Sequence, residues 1–545
     1  MDRGDQFVAG TGLHPPARID AGRRRLAGGR GKSPGRDALQ SAAVRCAQSV
    51  RRAGRHHRRA DAAPSRAPRQ FRGWRPIAGG RRLTGDPVTR GWGTARYRGW
   101  ALTLLLLIYA SNFVDRVILA ALGPAIRADL KISATQLGLL GGIAFALFYT
   151  LLGIPISRLA ERRSRVGIIA LATALWSGMT ALCGTATGFA QLLLFRVGVG
   201  IGEAGLTPPG YSLISDYFPR HRRASALSIF LLGIPLGSFL GATVGGWVAR
   251  TYGWRVAFFV VGLPGLILSL LAWATLREPP RGATDPVRRQ DDATPPLRAV
   301  FATLAARRSF KHIALAASLT SFANFGNNLF LPTFFVQAHQ RDIATAGLLF
   351  GLLTGVAGIL GTFIGGFGTD HAGRHDRRWT LWLPAIGLLA GAPFFMLGVS
   401  LPGWKSGFAV MLVSSIFFYS WSPSLNGALQ NMVGARMRAS AAAILSVIFN
   451  LIGTGLGPVF VGWLNDLYAS QAFALGDYAT LCAGGHSAAG ASAATAHACA
   501  SAAAYSSRWA IITTALAYPW AALHFYLAGR SLREDIAAQD AAEAA

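Results

Sequence analysis

The stretch Trp100–Ala121 reads WALTLLLLIYASNFVDRVILAA. Its 22 residues, at ~1.5 Å of rise each, match the ~30 Å hydrocarbon core of a bilayer. Its strongly polar members, Asn112, Asp115 and Arg116, sit together inside an otherwise apolar run. A charge at the centre of a membrane helix costs roughly 2.5–3.5 kcal/mol or more, so such residues face a cavity or one another. One segment thus predicts both a membrane-spanning fold and the place where its chemistry sits.

Similar apolar runs continue along the chain. Five follow at Thr135–Ile156, Val166–Gly188, Leu192–Tyr217, Ala224–Val248 and Val256–Leu276. The polar, Pro-rich segment Arg277–Arg308 interrupts, and six more occupy His312–Val336, Ala344–Gly368, Trp379–Leu397, Gly407–Gly427, Ala439–Leu464 and Trp509–Leu527. The reading is an all-α membrane protein with twelve transmembrane helices in two six-helix halves. Its expected parts are a basic segment 1–97, a first half 98–276, a cytoplasmic linker 277–309, a second half 310–530 and a cytoplasmic tail 531–545.

Composition excludes an assembly of soluble domains, because 52% of residues are hydrophobic and only 14% charged, against about 25% charged in soluble proteins. The net charge of +30 invites a nucleic-acid reading. Its placement argues otherwise. Residues 1–99 hold 22 Arg and Lys32 against six Asp, and the remaining excess lies in alternate short connections. These are Arg158/Arg162/Arg163/Arg165, Arg220/Arg222/Arg223, the linker, Arg374/Arg377/Arg378, Arg436/Arg438 and Arg530/Arg533. Positive charge in every second connection, hence all on one side, predicts a multi-pass protein of the cell inner membrane with both termini cytoplasmic. The expected partners are the lipid bilayer, a small solute and protons, with no nucleic acid, and the carrier is expected to be a monomer. For the Arg/Ala/Gly/Pro-rich N-terminal segment three readings stay open: a disordered cytoplasmic tail, a misassigned start with Val88 as alternative initiator, and a nucleic-acid or anionic-lipid arm.

Cysteines are few: Cys46, Cys183, Cys482 and Cys499. Neither CxxC nor zinc-type Cys/His spacing occurs, so no metal site is expected. Cys482 and Cys499 share the Ala/Ser-rich connection Asn465–Arg508 and are a candidate disulfide; two small buried residues in a loosely structured loop are the alternative. No Gly-x-x-x-x-Gly-Lys-Ser/Thr loop is present, which argues against nucleotide-driven pumping. No nucleophile–base constellation points to an enzyme, and no cofactor is expected.

The halves repeat. Asn112-Phe-Val-Asp115-Arg116 aligns with Asn324-Phe-Gly-Asn327-Asn328 at an offset of 212. Arg223-Ala-Ser-Ala226 aligns with Arg438-Ala-Ser-Ala441 at 215, Trp247 with Trp463 at 216, and Glu161 with Asp370 at 209. A parallel duplication of this kind places substrate between the halves. Gly233, Gly237, Gly241 and Gly245 recur every fourth residue on helix five, a smooth face for static packing or for sliding between halves.

Several motifs now resemble the major facilitator superfamily, and within it the spinster-like branch, over roughly residues 98–535. They are Tyr109-Ala-Ser-Asn112-Phe-Val-Asp115-Arg116, Gly153-Ile-Pro-Ile-Ser-Arg158-Leu-Ala-Glu161-Arg162, Gly366-Phe-Gly368-Thr-Asp370-His-Ala-Gly373-Arg374 and Arg196-Val-Gly198-Val-Gly200-Ile-Gly202-Glu203-Ala204-Gly205. Gly253-Trp254-Arg255 and Asn450-Leu-Ile-Gly453-Thr-Gly455-Leu-Gly457-Pro458 match as well. The resemblance implies a secondary transporter in which acids of helix one and the Arg of helix four serve coupling or substrate recognition.

The residues themselves sharpen that expectation. Arg196 and Glu203 are seven apart, on one face of their helix. Arg196 and Asp115 lie at similar depth, so Arg196 is expected to hold the ionised Asp115 and to be released for an anionic head group when Asp115 is protonated. A purely structural lock between helices one and four is the alternative. The second half offers Asn324, Asn327, Asn328 and Tyr419 instead of charges, which suits an amphiphile with an acidic head. Glu161 with Arg162, and Asp370 with Arg374, are candidate gates. Two other functions stay open: a small carboxylate or organic-anion proton symporter of the same fold, and a transport-inactive membrane sensor or scaffold.

Overall fold

The structure, a computed structural model, describes residues 93–281, 283, 296–434 and 437–544. The segment up to residue 92, most of the linker and Arg436 lie outside the described residues, as do the expectations attached to them. Eleven described helices are long and apolar enough to cross a membrane. The first six are α1 Ala95–Leu130, α2 Ala134–Arg162, α3 Arg165–Cys183, α4 Phe189–Tyr217, α5 Ser225–Tyr252 and α6 Trp254–Thr275. After α7, Arg308–His339, come α8 Ile343–Gly373, α9 Trp379–Ser400, α10 Trp404–Asn431, α11 Ser440–Ala472 and α12 Ala493–Ala541.

The helix outside the set of eleven is α7. It carries buried Ser318, Thr320, Ser321, Asn327 and Thr333 and packs against α1, α11 and α12. A helix walled in by other helices meets little lipid, so its polar side chains cost little. The outer faces of the other helices are apolar: Leu171 is 73% exposed, Phe367 72% and Trp273 68%. Water penalises such a belt and a bilayer does not.

Repeat symmetry extends to the irregularities. α2 is interrupted at Gly142, and its counterpart α8 carries a π turn at Leu352–Val356. α5 is interrupted at Leu232, and α11 carries a π turn at Asn450–Leu456. α4 breaks after Glu203 and α10 after Phe418, and these positions are 215 apart, the offset that relates Arg223 to Arg438.

The glycine face of α5 packs inside its own half. A Cβ on Gly237 would come within 2.2 Å of the Ala110 carbonyl oxygen on α1, and Gly233 and Gly241 meet the same helix. Of the two readings, static packing and sliding between halves, these three glycines fit the first, as a close α1–α5 joint. The neighbouring Gly246 makes the contact between halves, with a Cβ position 2.8 Å from the Ile343 carbonyl oxygen of α8.

Two further expectations change. α12 begins at Ala493 rather than Trp509, because alanine is the strongest helix former yet only weakly hydrophobic, so hydropathy alone stops short. The rest of the long connection is a folded cap rather than a loose loop. Cys482 and Cys499 are joined by a disulfide with Cα atoms 5.5 Å apart, buried with Ala469, Phe473, Tyr478 and Ala502. The tail continues α12 as a helix and docks on its own half: Arg533 pairs with Asp376 at 2.8 Å, and Asp535 accepts the Ser309 N–H at 2.8 Å.

The bundle has a basic end, with the Arg clusters after α2, α4 and α8, and a loop end capped by the α11–α12 connection. At the loop end one core runs through both halves, from Ile118, Leu122 and Leu137 to Leu331, Leu349 and Val461. At the basic end the first half has its own core, including Leu104, Ile108, Ile169, Leu213 and Tyr217. Between residues whose side chains are described, every hydrogen bond and ion pair crossing the halves lies at the loop end. Asp466 of α11 accepts the Ala134 N–H at 2.9 Å, the Thr135 N–H at 2.8 Å and the Thr135 hydroxyl at 2.7 Å. Arg250 of α5 pairs with Asp342, the N-cap of α8, at 3.2 Å. The halves are thus joined at the loop end and part toward the basic end.

Candidate functional site

The break in α4 directly after Glu203 sets the site, because it leaves that carboxylate at the inner end of a helical segment facing α1. Arg116 Nε donates to Glu203 Oε2 at 2.6 Å, with the Glu203 side chain fully buried and that of Arg116 20% exposed. Three rings enclose the guanidinium: its Cζ lies 4.6 Å from the Tyr149 centroid, 4.9 Å from Phe145 and 5.1 Å from Phe113. Cation–π contacts of this kind add roughly 0.5–2 kcal/mol each, the more so when desolvated. Phe145 and Tyr149 are one helical turn apart on α2, so one face of that helix supplies both.

Arg196, two turns before Glu203, is buried. The structure corrects its expected partner. Its Nη1 donates to the backbone carbonyl of Asp115 at 3.2 Å, and its Cζ lies 5.8 Å from the Phe145 centroid. The Asp115 carboxylate is fully buried, and neither of its oxygens has a hydrogen-bond partner. Successive helical residues point about 100° apart. Arg116 therefore takes the ionic contact with α4, while Asp115 turns toward α3. There it meets Trp176 and Thr180, whose Nε1 and Oγ1, with Ser177 Oγ, are buried without partners. Asn112 is buried too, its Nδ2 unpartnered. The Trp176 indole N–H and the Thr180 hydroxyl are thus the donors placed to meet the Asp115 carboxylate.

The second half mirrors this arrangement with neutral groups. Asn328 Nδ2 donates to Asn324 Oδ1 at 2.6 Å and reaches the Tyr419 hydroxyl at 3.4 Å. Asn327 is buried with both amide atoms unpartnered. In each half one member of the aligned pair, Arg116 or Asn328, meets a tyrosine, and the other, Asp115 or Asn327, is buried without a partner. Tyr419 sits at the break in α10, opposite in the repeat to the break after Glu203. The neighbouring aromatics on α10 go elsewhere: Phe418 stacks on Tyr518 at 3.8 Å, and Trp421 packs edge-on to Phe449.

Glu161, Arg162, Asp370 and Arg374 are all exposed at the basic end, and among the described residues none forms an ion pair. In the first half the ionic network at that end centres on Arg165, which binds Asp216, Glu278 at 2.6 Å and Ser212 at 2.7 Å, tying α3 and α4 to the end of α6. Burial alone raises the Glu278 carboxyl, but the Val166 N–H, the Arg165 guanidinium and the Ser164 hydroxyl outweigh it and hold Glu278 below the usual glutamate range. Reading the sequence missed Tyr149, Phe145, Trp176, Ser177, Thr180 and Asp466. For Asp466 a trace existed, since it lies 216 residues after Arg250, the offset of the tryptophan pair.

The chain matches the family model of the Major Facilitator Superfamily over residues 105–458. It is 30% identical over 374 residues to an MFS-type efflux pump of Mycolicibacterium smegmatis, covering 68% of this chain and 85% of that protein. To the sphingosine-1-phosphate transporter SPNS2 of Danio rerio it is 27% identical, over 65% of this chain and 73% of that one. A solved bacterial homologue of the human lysosomal transporter spinster, inward-facing and unoccupied, is 33% identical with a TM-score of 0.73, covering 81% of this chain and 99% of that chain.

Proposed function

Because the chain belongs to the Major Facilitator Superfamily, in its spinster-like branch, and is a membrane transporter of a small solute rather than an enzyme, we propose that it carries an anionic amphiphile coupled to protons. The observation that carries the coupling is Asp115, a fully buried carboxyl that lies beside the Arg196 guanidinium and outside the Arg116–Glu203 pair. A proton arriving at Asp115 changes the charge next to Arg196 without disturbing the Arg116–Glu203 pair. Arg196 is then the cation for the acidic head, and Arg116 in its aromatic enclosure forms the wall beside it. The amides of Asn324, Asn327 and Asn328, with Tyr419, supply neutral contacts from the second half. That the zebrafish relative is a sphingosine-1-phosphate transporter supports an amphiphile with an acidic head.

The positive-inside rule puts the basic end in the cytoplasm, which makes the described state inward-open, as in the bacterial structural relative. Both termini are then cytoplasmic. Transport proceeds by rocking the halves about the central site. The gate residues Glu161, Arg162, Asp370 and Arg374, unpaired in this state, pair when the basic end closes.

The test is uptake into proteoliposomes under an inward proton gradient, comparing acidic lysolipids with short carboxylates. The proposal expects long-chain acids to accumulate and short ones not, with accumulation lost in Arg196→Gln. Short carboxylates carried as well as lysolipids point instead to a small organic-anion symporter, and no uptake of either class removes the transport reading of this site.

A further inference from the structure

A cavity of about 390 Å³ opens at the basic end, between the α8–α9 connection and the extension of α12 beyond its apolar run. That volume falls in the range of small-molecule sites, roughly 300–1,000 Å³, so it has room for an organic group and not only for an ion. One wall carries Arg374, His375 and Arg377, and the other Arg533, Ile536 and Ala537. Asp376 and Asp540 complete the lining. Three guanidinium groups and an imidazole therefore share the cavity with two carboxylates.

The carboxylates do not neutralise that charge. Asp376 is committed to the frame: one oxygen accepts the Arg378 N–H at 2.9 Å at the start of α9, and the other pairs with Arg533 at 2.8 Å. Asp540 comes only within 3.9 Å of Arg377, with the two side chains 67% and 58% exposed, an arrangement worth at most ~1 kcal/mol. Among the described residues Arg374 and His375 have no ion pair or side-chain hydrogen bond. The backbone on both sides is set. Ile536 is buried, Asp535 accepts the Ser309 N–H at 2.8 Å, and the Ser531 and Ser309 hydroxyls meet at 3.0 Å. These contacts pin the α12 extension to the start of α7.

We propose that this cavity binds a phosphate monoester, its oxygens held by Arg374, Arg377 and His375 and its alcohol portion lying against Ile536 and Ala537. A guanidinium fork matches two phosphate oxygens, and a dianion balances both free arginines where the single, loosely placed Asp540 does not. Arg533 and Asp540 lie six and thirteen residues past Leu527, about 9–20 Å along the helix, at and beyond the outer edge of the headgroup layer. The ester can therefore be a soluble one, such as glycerol 3-phosphate, or the headgroup of phosphatidic acid. The site belongs to the second half alone and does not depend on which solute the central site carries.

The experiment is thermal unfolding of the full-length protein in phosphatidylcholine nanodiscs, titrating glycerol 3-phosphate against gluconate at constant ionic strength. The expected result is a saturable rise in Tm with glycerol 3-phosphate. Arg377→Gln removes a charge-assisted contact and moves half-saturation about tenfold higher. Ala537→Glu, at an exposed position, puts a carboxylate into the cavity and abolishes the rise. Nanodiscs containing phosphatidic acid separate the two sources. A higher starting Tm with no further response to glycerol 3-phosphate marks the lipid as the occupant, and an unchanged response marks the soluble ester. Melting that neither glycerol 3-phosphate nor phosphatidic acid alters overturns the proposal, as does a rise that survives both Arg377→Gln and Ala537→Glu at the wild-type concentration.

Discussion

Replacing Asp466 by alanine tests how the loop end is held shut. In the described state its carboxylate crosses from α11 to the N-terminus of α2 and accepts three hydrogen bonds, at 2.9, 2.8 and 2.7 Å. A carboxylate at a helix N-terminus gains from the orphan N–H groups and from the helix dipole; caps are worth ~1 kcal/mol and reach ~2 kcal/mol in favourable geometry. When the loop end opens, α2 keeps its own cap, since Ser133 and Gln136 form a capping box, and water replaces Asp466. The differential loss is therefore about 2 kcal/mol, which shifts the ratio of loop-end-closed to loop-end-open states about thirtyfold toward open. Arg250 and Asp342 at the second seam are 62% and 38% exposed, so Arg250→Ala loses at most ~1 kcal/mol and shifts the ratio less. Spin labels at Thr187 and Ser406, one in each half at the loop end, report the distance by double electron–electron resonance. Asp466→Ala is expected to add a longer-distance population that Arg250→Ala barely shows. Equal distributions in wild type and Asp466→Ala refute the reasoning.

The Arg116–Glu203 pair is expected to behave as a unit. Glu203→Gln strands a largely buried guanidinium and costs ~3–5 kcal/mol of stability, while adding Arg116→Gln to it restores part of that loss; additive losses in a thermal-unfolding cycle contradict the pairing. The Glu278 network predicts a pH dependence. Its carboxyl is held below the ordinary value of 4.5, so its contribution is present above that pH and fades as pH falls through the lowered folded value. The difference in Tm between wild type and Glu278→Gln should be constant from pH 7 to pH 5 and shrink only below pH 4.5; a difference that vanishes already at pH 6 contradicts this assignment.

Much of the fold was legible because the bilayer allows few solutions: a span needs a long apolar run, and backbone groups must be satisfied within it. α7 is legible as the apolar run His312–Val336, although its polar content keeps it out of the set of eleven. α12 was misplaced at its start because alanine marks helix propensity rather than hydropathy. At the site, the residue set of α1, α4, α7 and α10 was readable from charge and repeat, but the pairing was not. Whether Asp115 or Arg116 meets α4 depends on a rotation of about 100° between neighbours and on the break after Glu203, neither of which composition encodes. The α3 residues Trp176 and Thr180 read as ordinary helix positions, and only packing brings them to Asp115. Glycine spacing on α5 signalled close approach, but not to which partner.

The most direct test of proton coupling through Asp115 is a paired measurement in proteoliposomes with the Asp115→Asn protein. Asparagine keeps the size of the side chain and cannot titrate. The account predicts that an imposed proton gradient no longer drives accumulation of the amphiphile, while solute exchange at equal pH on both sides continues near the wild-type rate. Gradient-driven accumulation in Asp115→Asn equal to that of wild type contradicts it.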